Sequence, residues 1–96
     1  MLKRDRAVFA ISVAAELSGT TVQNLRAYER SGLLEPERTQ GGTRRYSEID
    51  VERLLRIRSL LNAGLNIAGI ERVLALEKQV HDLQVELDQQ TIRTSR

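Results

Sequence analysis

The chain has 96 residues, enough for one small domain with a modest core. It contains one phenylalanine, two tyrosines and no tryptophan, so its core must be built from small and branched aliphatic residues, which favours helices. The absence of cysteine excludes a disulfide framework and a thiolate metal site, and a single histidine excludes a multi-histidine site within one chain. No apolar run is long enough to span a bilayer and no signal-peptide core is found, so we expect a soluble cytosolic protein.

The net charge of +2 is too small to indicate a nucleic-acid partner, but its distribution is uneven. Residues 21–60 contain eight arginines against six acidic residues, whereas residues 70–90 contain two basic residues against five acidic ones. This asymmetry fits a DNA-facing body with a solvated dimerisation arm. An ordinary charged surface explains it equally well, so charge alone does not decide between the two interpretations.

The first predicted helix begins at Ser12, whose hydroxyl suits an N-cap, and ends at Gly19, which can adopt the left-handed conformation. Its apolar stripe is expected to consist of Val13, Ala14 and Leu17. Residues 7–11 before it are a short apolar run, which predicts either a brief strand or a lead-in packed on the core.

A second helix follows at once, and Thr20 with Gln23 has the spacing of a capping box. Its inward positions are Val22, Leu25 and Tyr28. Two short helices separated by a tight turn that contains glycine are typical of a helix-turn-helix motif. The alternative is a helical hairpin within a small bundle, although helices this short bury little surface. We predict that residues 21–30 form the recognition helix.

Pro36 prevents the helix from continuing, and the residues after it predict a hairpin with strands at 37–40 and 43–46. The expected connection is a two-residue turn, Gly41-Gly42. Both strands are polar on both faces, so burial cannot be the purpose of this hairpin. It is either a disordered loop or a wing, a ribbon whose arginines lie along DNA phosphates while Tyr46 anchors its base or donates to a phosphate oxygen.

Ser47 is a suitable cap for a third helix, whose acidic first turn complements the helix dipole. Its predicted apolar face consists of Ile49, Val51, Leu54, Leu55, Ile57, Leu60 and Leu61. Three arginines on this helix are interpreted as solvated surface: Arg53, Arg56 and Arg58. The helix is expected to end at residues 62–64, and Asn66 to cap the next one.

The last helix carries an apolar seam with spacings of three, four, three and four residues. Its members are Val73, Leu76, Val80, Leu83 and Leu87. The seam predicts a short coiled-coil dimerisation helix at residues 70–90, with His81 as a surface or seam-edge residue and not a pH sensor. Residues 1–10 are expected to be a flexible lead, residues 11–69 the DNA-binding domain and residues 91–96 a loose tail.

Three spaced motifs stand in order along the chain: Arg26, Tyr28 and Glu29; then Gly32-Leu33-Leu34-Glu35-Pro36; then Arg44-Arg45-Tyr46. Together they resemble the signature of the MerR family of bacterial transcription regulators, and the resemblance extends over residues 11–87. Within the family it is strongest to the heat-shock repressor (HspR) branch, through the stretches ISVAAELSG, LRAYERSGLL, RTQGGTRRYS and NIAGIERVLALEKQVHDLQ. Many members have two adjacent tyrosines after the recognition-helix arginine; this chain has Ala27 at the first of those positions, a departure that the heat-shock branch shares.

The resemblance implies a mainly α-helical fold, a MerR-type winged helix-turn-helix with a short C-terminal helix that dimerises antiparallel to its mate. It implies a cytoplasmic, nucleoid-associated homodimer that binds an inverted repeat in double-stranded DNA and represses heat-shock and chaperone genes, with the chaperone DnaK as co-repressor. Relatives that sense effectors continue into a ligand domain or a cysteine metal loop. This chain is too short for such a domain and has no cysteine, so we expect no cofactor or metal here. The alternative within the family is regulation of another regulon, as an activator or an architectural protein.

Ten residues are expected to contact DNA: Thr20, Thr21, Gln23, Asn24, Arg26, Tyr28, Arg38, Arg44, Arg45 and Tyr46. Gln23 and Arg26 are the candidates for base edges, because glutamine pairs bidentately with adenine and arginine with guanine. The threonines and Asn24 would bind phosphates or reach a base at the start of the recognition helix. Tyr28 would either touch the DNA backbone or pack in the core, and the wing arginines would contact phosphates at the flanks of the site, Arg38 more weakly.

Two other classes of protein fit less well. An enzyme would need a nucleophile with its base, a cleft with paired carboxylates or a set of metal ligands, and the sequence provides none of these. A helical interaction module without a DNA role would explain the heptads. It would leave the polar hairpin and its Arg44-Arg45-Tyr46 motif without a purpose.

Overall fold

The computed structural model describes residues 4–94, which form four α-helices and one antiparallel hairpin. In chain order these are α1 (Ile11–Ser18), α2 (Val22–Arg30), β1 (Glu37–Arg38), β2 (Arg44–Arg45), α3 (Glu48–Asn62) and α4 (Ile67–Thr94). The predicted mainly α-helical architecture with a small wing is confirmed. The chain divides into two compact units, Met1–Ala63 and Gly64–Arg96, so the predicted boundary between residues 69 and 70 lies inside α4.

The segment before α1 is paired with the chain that leaves the wing. The amides of Val8 and Phe9 donate to the Tyr46 carbonyl at 3.0 and 2.8 Å, and the Tyr46 amide donates to the Phe9 carbonyl at 2.8 Å. The apolar run therefore forms a brief strand-like bridge, one of its two predicted conformations. Arg4 also pairs with Glu48 and Glu52 of α3, so residues 4–10 of the predicted flexible lead contact the rest of the unit, while residues 1–3 lie outside the described residues.

Helix α1 begins two residues earlier than predicted. Its N-cap is Ala10, which has an extended backbone and makes no side-chain cap bond, whereas Ser12 lies exposed inside the helix. The prediction of Ser12 as N-cap is therefore wrong. The physical reason is that the bridge at Phe9 already directs the chain into the helix, so the Ala10 carbonyl accepts from the Ala14 amide at 3.0 Å.

The buried face of α1 is made of small residues, Ala14, Ala15 and Ser18. Val13 and Leu17 are 40% and 51% exposed, so only Ala14 of the predicted stripe is correct. Small side chains allow α1 to pack closely against both α2 and α3. The Ser18 hydroxyl donates to the Ala14 carbonyl at 2.7 Å, which satisfies it within the core.

Gly19 ends α1 in the left-handed conformation, with φ of +69°, as predicted. The predicted capping box of Thr20 and Gln23 at the start of α2 is wrong, and the N-cap lies one residue later than predicted. Thr21 is the N-cap, and its hydroxyl accepts from the Asn24 amide at 3.1 Å. The Thr20 amide donates to the Ala15 carbonyl and completes the end of α1, so it is not available to the Gln23 side chain as the predicted box requires.

We expect Gly19→Ala to lower the free energy of unfolding by about 1–2 kcal/mol, because an L-residue is strained at this φ. The added Cβ would also meet the guanidinium group of Arg58. Urea denaturation of both proteins measures the effect. Gly41→Ala is the matched control, since Gly41 has no positive φ and its added Cβ meets only the Thr39 hydroxyl at 3.9 Å; an equal loss in both variants would contradict the argument.

Helix α3 begins with the predicted cap. The Asp50 amide donates to the Ser47 hydroxyl at 3.0 Å, and the Ser47 amide donates to the Asp50 carboxylate at 2.9 Å. The buried face is narrower than predicted: it consists of Leu54, Ile57 and Leu60, while Ile49, Leu55 and Leu61 are exposed. Arg53 is exposed, as expected, but also donates to the Leu33 carbonyl at 2.5 Å and so holds the segment after α2.

The core of the first unit gathers side chains from every element except the two strands. Besides the alanines of α1, the fully or nearly fully buried apolar residues are Leu25, Tyr28, Leu33, Leu34, Tyr46, Leu54, Ile57 and Leu60. The two leucines before Pro36 return to the core, as predicted. This core fixes α2 so that one side is buried and the other is presented to solvent.

Helix α4 forms the second unit. Asn66 caps it, as predicted, by accepting from the Gly69 amide at 2.8 Å, and Ile70 and Leu74 are buried. The helix continues through Thr94, so the predicted loose tail is wrong for residues 91–94; residues 95 and 96 lie outside the described residues. A bond from Gln84 to Asp88 and one from the Thr91 hydroxyl to the Leu87 carbonyl support this last part. Across residues 4–94, no helix is both long and apolar enough to cross a membrane.

Candidate nucleic-acid interface

Helix α2 has one buried side and one polar side. Leu25 and Tyr28 are buried, whereas Gln23, Asn24 and Arg26 are exposed. The two candidates for base edges therefore stand on the solvent side of a helix whose opposite side is fixed in the core. Arginine and glutamine on such a face have the length and the paired donors that reading base edges in a major groove requires.

The start of α2 is a compact cluster of polar groups. The Thr20 hydroxyl accepts from the Asn24 side-chain amide at 3.0 Å, and the Thr21 hydroxyl accepts from the Asn24 backbone amide. Both threonines act as acceptors in these bonds, so their O–H groups can still donate. Helix N-termini also attract anions through their unpaired amides and the helix dipole. The cluster is chemically suited to a phosphate, one of the two contacts predicted for these three residues; its binding to DNA stays a prediction.

The wing is shorter than predicted and has a different turn. Its strands contain two residues each, with Glu37 opposite Arg45 and Arg38 opposite Arg44. Beyond them the Thr39 amide donates to the Thr43 carbonyl at 2.8 Å, which leaves a loop of three residues, 40–42, instead of the predicted two-residue Gly-Gly turn. The Thr39 hydroxyl accepts from the Thr43 amide and stabilises this wider loop, in which Gly42 has φ of +84°.

A carboxylate on α2 holds both strands of the wing. The Glu29 Oε1 atom accepts from Arg38 at 3.1 Å, and its Oε2 atom accepts from the Nε of Arg44. Arg38 also reaches the Gly42 carbonyl at 3.4 Å. Sequence reasoning assigned no role to Glu29. The available signal was an acidic residue in an otherwise basic stretch, but its partners are 9 and 15 residues away and cannot be identified from the sequence.

The wing and the recognition helix share a cleft of about 300 Å³. Its lining residues are Arg26, Glu29, Arg30 and Arg44. The structure thus brings Arg26, a candidate for a base edge, next to Arg44, a candidate for a phosphate. Three guanidinium groups around one carboxylate leave an excess of positive charge at this place, which suits a polyanion.

Both tyrosines of the predicted interface are buried. Tyr28 is 7% exposed, which fits the core-packing alternative, and its carbonyl accepts from the Ser31 hydroxyl at 2.9 Å. Tyr46 has no exposed surface, which fits the role of an anchor at the base of the wing. A side chain without accessible surface does not reach a phosphate in this conformation, so the alternative of a phosphate donor is not supported by its position.

The Tyr46 hydroxyl is buried without a hydrogen-bond partner among the described residues. Burial raises the pKa of this phenol above its ordinary value of 10.0, and the nearby Glu29 carboxylate raises the pKa further. A buried hydroxyl without a partner loses its bonds to water and destabilises the fold.

We therefore expect Tyr46→Phe to raise the free energy of unfolding at pH 7 by about 1 kcal/mol, since only the unpaired hydroxyl is removed. In the unchanged protein, stability should fall as the pH rises above 10.0, because the unfolded phenol loses its proton before the folded one. Tyr46→Phe should reduce this loss. Thermal unfolding at pH 7 and pH 11 measures both effects, and lower stability of the variant at pH 7 would show that the hydroxyl has a partner.

The predicted dimerisation seam lies along one side of α4. Leu76, Val80, Leu83 and Leu87 are between 54% and 65% exposed, and Val73 is half-buried. The seam borders a shallow groove of about 540 Å³ that is also lined by Glu77, His81 and Gln84, which places His81 at the seam edge, one of its two predicted locations. Four large apolar side chains in a row, each exposed to this extent, are typical of an interaction surface.

Residues 9–77, most of the chain, match the family described as "MerR HTH family regulatory protein". The chain belongs to the MerR family. It thus contains the helix-turn-helix domain of this family, as the sequence motifs predict, and the relatives and solved structures that share its fold are transcription regulators. Among residues 4–94, no group of three or more histidine, aspartate or glutamate side chains is placed to hold a metal ion.

A curated relative in Streptomyces coelicolor, named "Putative heat shock protein HspR", is 50% identical over 84 residues, which cover 86% of this chain and 56% of the relative. This similarity confirms the resemblance to the heat-shock branch of the MerR family. The chain spans little more than half the length of the curated relatives that it matches.

Two solved structures show the same fold. The transcription regulator PbrR691 from Ralstonia metallidurans CH34, in complex with lead(II), has a TM-score of 0.71 and 28% identity, and covers 90% of this chain and 78% of its own. HiNmlR, a MerR family regulator that lacks the sensor domain and is bound to promoter DNA, has a TM-score of 0.63 and 23% identity, and covers 88% of this chain and 76% of its own.

Proposed function

We propose that this MerR-family protein is a repressor of heat-shock and chaperone genes that binds an inverted repeat in double-stranded DNA as a homodimer. The observation that carries the proposal is the exposed polar face of α2 beside the wing, with Arg26 and Arg44 on one cleft. The similarity to the HspR relative supports the class of genes.

In this proposal α2 enters the major groove. Arg26 would donate two hydrogen bonds to a guanine, and Gln23 would pair with an adenine at a neighbouring position. The cluster of Thr20, Thr21 and Asn24 would bind a phosphate where α2 begins, so that the helix N-terminus points at the DNA backbone. These contacts would set the register of the helix in the groove.

The wing would bind phosphates at the flank of each half-site. Arg44 and Arg45 are half-buried on β2 and are held by the strand pairing, and Arg38 on β1 is more exposed. Tyr46 would act as the buried anchor that ties the end of β2 to Phe9. Family likeness further implies that the DNA is bent or untwisted, so base pairs at the centre of the site would affect affinity without being touched.

The apolar seam of α4 would join two copies. A single copy reads one half-site, and a symmetric dimer reads two half-sites in inverted orientation. Four exposed apolar side chains at heptad spacing provide the surface for such a pairing. A DnaK-type chaperone as co-repressor rests on the family resemblance alone; adding the chaperone to the DNA-binding reaction is its test.

The experiment that tests the proposal is selection of bound fragments from random duplex DNA at near-physiological salt, followed by sequencing. Recovery of an inverted repeat by the dimer would support a site-specific regulator and give a half-site to locate beside chaperone operons. Fragments without a consensus, together with binding that falls steeply with salt, would instead show a non-specific DNA clamp.

A further inference from the structure

Glu29 is a negative charge at the centre of the surface that is proposed to face DNA. Arg26, Arg30 and Arg44 line the cleft around it, and Arg38 pairs with it from the other strand of the wing. A carboxylate at this place repels phosphates and lowers the affinity for every duplex, whatever its sequence. Its presence therefore requires an explanation other than attraction to DNA.

The geometry shows what the carboxylate does in the free protein. Its two oxygens bind two arginines that face each other across the hairpin, because Arg38 on β1 is the direct partner of Arg44 on β2. One side chain of α2 thus holds both strands. The Glu29 side chain is only 18% exposed, whereas those of Arg38 and Arg44 are 52% and 35% exposed, so the pair is partly protected from water.

Among the described residues, the ion pairs between the wing strands and α2 are those of Glu29. A hairpin of two-residue strands is not stable by itself, and neither strand buries a side chain fully. Buried residues anchor the wing to the core at its two ends, Leu34 before β1 and Tyr46 after β2, but neither lies on a strand. The distance between the wing and the recognition helix therefore depends on the Glu29 bridge.

We propose that Glu29 is a positioning residue that determines how well this protein distinguishes its operator from other DNA, an inference that rests on the proposed function. With the bridge intact, the wing reaches its phosphates only when α2 occupies the groove in the correct register. Without the bridge, Arg38 and Arg44 move independently of α2 and bind the phosphates of any duplex. Loss of Glu29 thus weakens binding to the operator and strengthens binding to unrelated DNA.

The test compares Glu29→Gln with the unchanged protein on two duplexes, the selected operator and a scrambled sequence of equal length. We expect the ratio of the two affinities to fall about tenfold, the size of one lost charge-assisted contact. Glu35→Gln is the matched control, because it removes the same charge from an exposed residue between α2 and β1. It should leave the ratio unchanged.

A charge-preserving variant separates position from charge. Glu29→Asp keeps the negative charge but shortens the side chain by one methylene group, so it cannot reach both arginines as Glu29 does. We expect it also to lower the ratio of affinities. The proposal would be overturned if Glu29→Asp had the same ratio of affinities as the unchanged protein. It would also be overturned if Glu29→Gln raised the affinity for both duplexes equally, since Glu29 would then act only through its charge.

A measurement without DNA keeps this inference apart from the proposed function. Backbone amide NMR should show larger fast motion for residues 38–44 in Glu29→Gln than in Glu35→Gln, while the amides of α3 are unchanged. A wing of unchanged rigidity would overturn the positioning role even if the operator is recognised. A wing that loosens as expected, in a protein that selects no operator, would contradict the proposed function instead.

Discussion

Leu83→Glu is expected to convert the proposed dimer to a monomer and to lower the affinity for a duplex with two half-sites by more than about 100-fold. Leu83 lies in the middle of the apolar seam of α4 and is 64% exposed in the single chain. A glutamate there costs the isolated chain little, because the position is already in contact with water. In a dimer it would bury two carboxylates within the seam, which opposes association strongly.

Val85→Glu is the matched control for this prediction. Val85 lies on the same helix and is 43% exposed, but it points about 200° away from Leu83 around the helix axis. Sedimentation velocity gives the mass of each variant, and titration with duplexes that carry one or two half-sites gives the affinities. Only Leu83→Glu should bind the duplex with two half-sites no more tightly than the duplex with one. A Leu83→Glu protein that remains a dimer would show that the seam is not the dimer interface.

Features that depend on neighbours in sequence were predicted well. The cap at Ser47, the cap at Asn66 and the left-handed Gly19 each need only residues within one turn of a helix, so their spacing is visible in the sequence. The apolar seam of α4 was also predicted correctly as one continuous side of the helix, because heptad spacing is visible in the sequence. The family signature added the order of the elements, which the structure confirms, and the match to residues 9–77 confirms the family.

The predictions from sequence were wrong where more than one local arrangement of the chain fitted the same residues. Ser12 and Thr20 both have hydroxyl groups suited to a cap, but Ser12 lies inside a helix whose N-cap is Ala10, and the Thr20 amide already donates to the Ala15 carbonyl of α1. The exposure of Val13 and Leu17 has a related cause, because α1 turns its small residues toward two helices at once. Such choices depend on tertiary packing, which periodicity does not contain.

The sequence indicated which residues belong to the candidate site, but not which of them contact one another. The list included Arg38 and Arg44, yet it gave no indication that both bind Glu29, because these contacts join residues far apart in the chain. The burial of Tyr46 was similarly undecided, since its pairing with Phe9 spans the whole helix-turn-helix. Contacts between distant segments therefore carry most of what the structure adds to the sequence.

Arg26→Ala and Arg45→Ala are expected to weaken DNA binding in two different ways. Arg26 is exposed on α2, where a bidentate bond to a guanine would contribute about 1–3 kcal/mol of discrimination, so its loss should relax the preference at one position of the half-site. Arg45 lies on β2 beside the proposed phosphates. Its loss should weaken all sequences alike and reduce the dependence of log affinity on log salt by about one.

Binding of both variants to the operator and to duplexes with single base changes, at several salt concentrations, distinguishes these two roles. Arg26→Ala should lose its discrimination at one base pair while its affinity for scrambled DNA changes little. Arg45→Ala should keep the full pattern of base preferences at a lower affinity. If the two variants gave the same pattern, α2 would not be reading bases through Arg26, and the wing and the helix would together form a clamp that recognises only the DNA backbone.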